Sequence, residues 1–252
     1  MELLSVVIIT YNEELNIAKC LQSVQGLADE IVILDSFSSD STVEIARQFG
    51  AKVYQQKFAG YVQQKNSALA LATHNRVLSL DADEELSSGL FASIAAEKKN
   101  FQMKAYKMNR RAFYCGRFIL HGSWYPEPKV RLFDRRAVTW GGLDPHDRVV
   151  LPAGIPIGHL KGDILHYICD SVEEHRLRSV NFSNIAARSL FDAGKKTNWF
   201  KILASPAWFF LVDYIFKAGF LDGWRGWKIA SIQTRYHFEK YRKLRKLWKI
   251  AK

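Results

Sequence analysis

Apolar and polar positions in the first hundred residues repeat with two different periods. Ser5-Val6-Val7-Ile8-Ile9 is a continuous, largely β-branched run, the signature of a strand covered on both faces. Ile17, Leu21 and Val24 then recur at helical spacing. Ile31-Val32-Ile33-Leu34 predicts a second buried strand, and Ser41 and Thr42 offer caps for a helix through Ile45, Ala46 and Phe49. Lys52-Val53-Tyr54 predicts a short third strand, Val62 to Ala72 a helix, and Val77-Leu78-Ser79-Leu80 a fourth strand. Strand and helix in strict alternation imply an α/β fold with a mostly parallel sheet flanked by helices.

From Ala105 to Leu160 the periodicity breaks down into a stretch rich in Arg, Trp, Tyr, Gly and Pro, poor core material and suited to lining a site. Helical spacing returns from Ser171 to Ala193, followed by an aromatic segment and a basic tail. These changes divide the chain into an αβ domain over residues 1–165 and a helical C-terminal region over 166–252. No stretch reads as long enough to span a bilayer, which takes about 20 apolar residues. Ile202 to Val212 is shorter, contains Pro206 and is followed by Asp213. Its rings (Trp208, Phe209, Phe210, Tyr214 and Phe216) beside a basic helix suit a membrane surface.

Composition narrows the class. The chain has 252 residues, 48% of them hydrophobic, which supports a real core. Cys20, Cys115 and Cys169 are odd in number and form no C-x-x-C pair, which argues against disulfide and zinc frameworks and for a reducing compartment. The N-terminal apolar run lacks a basic flank and a small-residue cleavage site, so no signal peptide is expected. Net charge is +11, yet Arg225 to Lys252 holds ten Lys/Arg against one acid, Glu239, so the body is nearly neutral.

Ligands of parallel α/β sheets bind beyond the carboxyl ends of the strands. There the first strand continues into Thr10-Tyr11-Asn12-Glu13-Glu14, the second into Asp35 and a Ser-rich loop, and the fourth into Asp81-Ala82-Asp83-Glu84-Glu85. Two carboxylates one residue apart repel each other, and a hard cation with oxygen ligands relieves that repulsion. A sugar diphosphate would supply further oxygens, and the metal would offset charge on the departing group. The bland alternative is an acidic turn capping the helix near Ser87-Ser88. Asp35 reads either as a turn residue or as an acceptor for base or ribose. Tyr11 suits stacking on a base or partial burial, and Lys65 suits a phosphate or a solvated helix face. Neither G-x-G-x-x-G after the first strand nor G-x-x-x-x-G-K-[ST] occurs, which disfavours dinucleotide and P-loop readings.

The segments 5–14, 31–42, Gln64-Lys65-Asn66 and Leu80-Asp81-Ala82-Asp83-Glu84 together resemble family 2 glycosyltransferases of the GT-A fold. Trp124-Tyr125-Pro126, Arg131-Leu132-Phe133, Pro145-His146-Asp147, Leu165-His166-Tyr167 and Gly219 to Gly223 are similar, more loosely, to lipopolysaccharide inner-core β-1,4-glucosyltransferases. The resemblance implies a UDP-sugar donor, with Thr10, Tyr11, Asn12, Glu13 and Asp35 against the uridine and Lys65, Asp81 and Ala82 near the nucleotide. It implies Mg or Mn held chiefly by Asp83, with Asp81 and His166 as further ligands. It implies an inverting reaction with Asp147 as general base and Asp144 as its rival. His166 also reads as a core histidine, and Asp147 as the partner of Arg148 in a surface salt bridge. Many members carry Asp and Gly where this chain has Ser36 and Phe37, which leaves the base contacts open. An inner-core acceptor carries phosphate and carboxylate, for which Arg117 and Arg131, with Arg110 and Arg111, are suited, alongside Trp124 and His146. The same arginines also read as solvated charges.

In the tail, Tyr241, Leu244, Leu247, Trp248 and Ala251 share one stripe of a basic helix. An anionic membrane is the preferred partner, ahead of another subunit or the protein's own body, with nucleic acid last. The expected location is the bacterial cytoplasm, on the inner membrane's cytoplasmic face. Two other readings stand beside the glucosyltransferase. One is a related transferase for a capsule, glycolipid or protein acceptor; the other is a basic binding protein that holds a nucleotide without turnover.

Overall fold

The structure, a computed structural model, describes residues 2–144 and 146–251; Pro145 of the Pro145-His146-Asp147 segment lies outside the described residues. The chain forms two compact units. The first comprises Met1–Arg110, Pro128–Gly142 and Asp147–Tyr167, and the second Arg111–Glu127, Leu143–His146 and Ile168–Lys252. The sequence pattern predicts one boundary near 165; the structure also assigns 111–127 and 143–146 to the second unit. Those stretches carry no period of their own, so nothing in the pattern separates them.

In the first unit, β1 (Leu4–Thr10), β2 (Glu30–Asp35), β3 (Lys52–Gln55) and β4 (Arg76–Asp81) are parallel, in the spatial order β3-β2-β1-β4. Leu4, Val6 and Ile8 pack on one face with Ile17, Leu21 and Ile94. Val7 packs on the other with Val32, Leu34, Ala68 and Leu69. Both faces of β1 are therefore buried, which is why its apolar run is unbroken. The covering helices are α1 (Ile17–Val24), α2 (Thr42–Gln48), α3 (Tyr61–Leu71) and α4 (Ser88–Lys98). Register aligns the strand ends, with Thr10 opposite Asp35 and Ile9 opposite Asp81.

Beyond β4 the sheet continues with strands that the pattern does not reveal. These are β5 (Glu84–Leu86), β6 (Ala105–Tyr114), the short β7 (Arg117–Phe118), β8 (Glu127–Asp134) and β11 (Ile157–Cys169). The spatial order runs β4-β8-β6-β11-β5, with β8 antiparallel to β4 and β11 antiparallel to β5. A separate two-stranded sheet joins β9 (Thr139–Leu143) to β10 (His146–Val150). Gly162 in β11 has φ +94, and a Cβ there would stand 2.2 Å from the Leu90 backbone nitrogen. Only glycine allows β11 to approach the start of α4 this closely.

The helical unit contains α5 (Val172–Asp192), α6 (Trp199–Phe210), a π-helical turn Leu211–Phe216, a 3-10 turn Gly219–Asp222 and α7 (Gly223–Ile250). Two expectations change here. α6 runs through Pro206 into the π turn, so Trp199–Phe216 forms 18 helical residues of mean hydropathy 1.3, long and apolar enough to span a membrane by length and composition. The second change concerns the tail: α7 packs on α5 and α6, which turns its stripe inward. Leu244 is buried, and Trp248 packs against Phe191 with the rings tilted and their centroids 4.7 Å apart, and donates to the Lys195 carbonyl at 2.7 Å.

At the amino end of β2, buried Glu30 ties three strands' starts together. It accepts from Ser5 Oγ at 2.5 Å, Lys52 Nζ at 2.8 Å, and the Thr73 N–H and hydroxyl at 2.8 and 2.5 Å. Burial pushes its carboxyl up, but Lys52, Ser5 and Thr73 outweigh that and bring it from 4.5 to about 2. The stabilisation is complete above pH 4.5 and is lost as pH falls through about 2. Glu30→Gln is expected to lower urea-unfolding stability by about 2–3 kcal/mol at neutral pH, with the deficit shrinking in acid.

Candidate active site

The loops after β1 and β2 are stitched to each other. Asn12 donates its N–H to Ser38 Oγ at 2.8 Å and accepts from the Ser39 N–H at 2.8 Å. Asn12 and Phe37 both sit at positive φ, +52 and +63. Position 37 thus has the backbone that glycine adopts freely, and here it holds an exposed ring. Asp35 is fully buried and organises the Ser-rich loop, accepting from the Ser38 N–H and hydroxyl and from Gln55 Nε2. Thr42 binds the Glu13 N–H at 2.7 Å instead of capping α2. Tyr11 is exposed, and the buried Thr10 hydroxyl has no hydrogen-bond partner among the described residues.

At the end of β4 the charges form a chain of alternating sign. Asp147 lies 2.8 Å from Lys65 Nζ, and that ammonium lies 2.9 Å from Asp81 Oδ1. Arg131 Nη2 reaches Asp81 Oδ2 at 2.8 Å and Glu84 Oε1 at 2.9 Å, and Arg110 meets the same Glu84 oxygen at 3.1 Å. Lys65 comes from α3, Arg131 from β8, Arg110 from β6 and Asp147 from β10, so four elements converge on the strand end. The Trp140 ring lies 4.6 Å from Lys65 Nζ and 5.5 Å from the Arg131 guanidinium. Burial pushes the Asp81 carboxyl up, yet Arg131 and Lys65 hold it well below the usual carboxylate range. Asp81 and Glu84 in turn raise Arg131 against the effect of burial.

Asp83 stands outside this chain and faces His166 Nε2 at 3.2 Å. The contact exists because β5 pairs with β11, with His166 opposite Glu84. Burial raises the Asp83 carboxyl, but His166, together with Arg110, brings it below the usual carboxylate value. His166 Nδ1 is buried without a hydrogen-bond partner among the described residues. No trio of His, Cys, Asp or Glu side chains among the described residues forms a protein-only cage. A carboxylate and an imidazole side by side nevertheless fit a divalent cation that draws its other ligands from phosphate oxygens. Ser87 itself caps α4, accepting from the Leu90 N–H, so neither aspartate serves as that helix's cap.

Several residues stand elsewhere than the sequence suggests. Lys65 is not solvated; its side chain is 4% exposed. Asp147 pairs with Lys65 rather than Arg148. Arg131 and Arg110, expected on an acceptor, are engaged with Glu84 inside the protein. Asp81, expected near the nucleotide and as a further metal ligand, lies against Lys65 and Arg131. Ala82 is buried between the two aspartates. Trp124, His146 and Arg117 belong to the second unit. There Trp124 packs edge-on against Tyr114 at 5.4 Å, exposed His146 meets the Tyr236 hydroxyl at 3.0 Å, and Arg117 is exposed on the β6–β7 hairpin. Trp140 and Glu84 acquire roles the pattern did not assign. Glu84 was visible in the acidic run, whereas Trp140 had no local signal.

The Glycosyl transferase family 2 model matches residues 5–149, more than half of the chain. An uncharacterized glycosyltransferase of Rickettsia typhi is 31% identical over 98% of this chain and 88% of its own length. The lipopolysaccharide core biosynthesis glycosyltransferase LpsC of Rhizobium meliloti is 27% identical over 93% of this chain and 89% of its own. Among solved structures, S. aureus TarS 1-349 in complex with UDP-GlcNAc superposes with a TM-score of 0.54 at 16% identity, covering 99% of this chain and 92% of that one, a likeness of fold. With this GT-A-like α/β fold and these relatives, the chain belongs to glycosyltransferase family 2.

Proposed function

We propose that this glycosyltransferase is inverting and moves a hexose, glucose from UDP-glucose as first choice, onto an inner-core heptose of lipopolysaccharide. The observation that carries the reading is the ion chain joining Asp147 to Asp81 through Lys65, which would link an acceptor-side base to a donor-side carboxylate. Kinship with a lipopolysaccharide core transferase supports the acceptor class.

Thr10, Tyr11 and the Asp35 loop would flank the uridine, and Lys65 would face the diphosphate. Asp83 and His166 would hold the divalent cation, and the imidazole favours Mn over Mg. When bound, that cation supplies positive charge against the diphosphate. Asp147, paired with Lys65 at 2.8 Å, takes the proton from the acceptor hydroxyl as that oxygen attacks the anomeric carbon. The bond to UDP breaks on the opposite face and its electron pair leaves with UDP, so a single displacement inverts the configuration.

Asp147→Asn should lower kcat by about 10²- to 10⁴-fold while leaving the thermal stabilisation by UDP-glucose in place. If the variant turns over normally, Asp147 is not the base, and Asp144→Asn is the variant to assay.

Asp83→Ala and His166→Ala should each abolish the extra thermal shift that Mn adds to UDP-glucose. Undiminished turnover in Asp83→Ala would remove the metal role. UDP-glucose should stabilise the wild type more than UDP-galactose or UDP-N-acetylglucosamine; no shift with any of them would end the donor assignment.

A further inference from the structure

The segment from Lys195 to Lys228 has its polarity turned inside out. Its two acids, Asp213 and Asp222, are 1% and 5% exposed, whereas Phe200 is 80%, Phe216 71%, Trp208 64% and Trp224 51% exposed. Leu203, Leu211, Ile215, Phe220, Leu221 and Trp227 are exposed as well. In a chain folded against water alone, the rings would be covered and the carboxylates solvated.

The inward carboxylates explain why the arrangement holds. Asp213 accepts from the Ser123 N–H at 2.5 Å. Asp222 accepts from the Leu120 and His121 N–H groups at 3.2 and 2.9 Å. The Gly122 N–H donates to the Lys217 carbonyl at 2.9 Å. Backbone contact closes the turn: a Cβ on Gly226 would stand 1.8 Å from the Gly219 carbonyl oxygen. The rings are therefore presented from a latched platform of satisfied hydrogen bonds, not from a frayed end.

We propose that this face, formed by α6, the π turn and the start of α7, docks on an anionic lipid bilayer, lying in its interface. Charge points to the occupant. The six basic residues of the segment are Lys195, Lys196, Lys201, Lys217, Arg225 and Lys228, and with both acids buried its surface charge is wholly positive. Exposed Trp and Phe interleaved with Lys are what a headgroup region accommodates. Lying flat fits better than spanning. At about 1.5 Å per residue, the 18-residue helix is about 27 Å long, at the lower limit for a hydrocarbon core of about 30 Å. Asp213, latched to Ser123 inside the unit, also ties one end of that helix to the protein. The tail does not make the contact, because its apolar stripe is already covered by α5 and α6.

Flotation of the full chain with vesicles of phosphatidylcholine, with or without phosphatidylglycerol, tests this. The wild type should float with the anionic vesicles and much less with the neutral ones. Phe200→Ser, Trp208→Ser and Phe216→Ser combined should reduce that partition by about tenfold or more. Lys246→Gln with Lys249→Gln should change it by less than about twofold. Unchanged far-ultraviolet dichroism and melting would show that the triple variant remains folded; if it does not, Phe216→Ser alone should still weaken flotation. A wild type that stays with unbound protein overturns the proposal, as does a folded triple variant that floats equally well. So does a dimer in gel filtration that the triple variant dissolves without any lipid binding, which would assign the face to a second copy of the chain.

Discussion

The alternating chain Asp147–Lys65–Asp81–Arg131–Glu84–Arg110 is the constraint around which the catalytic end of the sheet is built. The side chains of Lys65 and Arg131 are each 4% exposed and that of Glu84 is 0%. Charges buried this deeply are costly unless each has a partner of opposite sign, and removing one partner commonly costs about 3–5 kcal/mol. Here each inner member serves two neighbours, so the six groups stand or fall together. The chain also fixes geometry, because its members come from six elements: α3, β4, β5, β6, β8 and β10. A sheet whose parallel strands only end near one another acquires, through these contacts, a single defined edge.

The parallel half of the sheet was legible in sequence because its physics is local. A strand covered on both faces is apolar along most of its length, so β1, β2 and β4 announce themselves, and the acids at their ends follow from where the runs stop. The antiparallel half was not legible. β6 carries Arg110 and Arg111 amid apolar residues, and β11 mixes His, Lys and Asp with Ile and Leu, because each strand lines a site for part of its length. The partners of Asp81 were invisible for a related reason. Arg131 lies 50 residues away and Asp147 lies 82 residues from Lys65, and no spacing rule links them. Trp140 was likewise unremarkable until the fold set its ring beside two cations.

The basic tail shows how composition misleads when burial is unknown. A stripe of Tyr, Leu and Trp on a lysine-rich helix satisfies the criteria for a membrane surface and those for a helix packed on its own protein. The neighbours decide between them, and α5 and α6 already cover the stripe. The same packing leaves the outward side of α6 uncovered, with an exposed aromatic surface in place of a polar one.

Asp81 and Asp83 show how a short acidic motif acquires two separate tasks. They are one residue apart, yet Asp81 closes β4 while Asp83 lies in the turn into β5, so their partners come from different strands. Asp81 meets Arg131 and Lys65, which neutralise it within the protein. The Asp83 carboxylate meets His166, whose other ring nitrogen is buried and unbonded among the described residues. The repulsion between the aspartates that invites a cation is thus relieved on one side by fixed ammonium and guanidinium groups. Only the Asp83 side retains ligands that are not committed to a permanent charge. A cation drawn there would meet one carboxylate and one imidazole, too few to hold it without phosphate oxygens. Under the proposed reading, retention of such a cation would therefore depend on the donor.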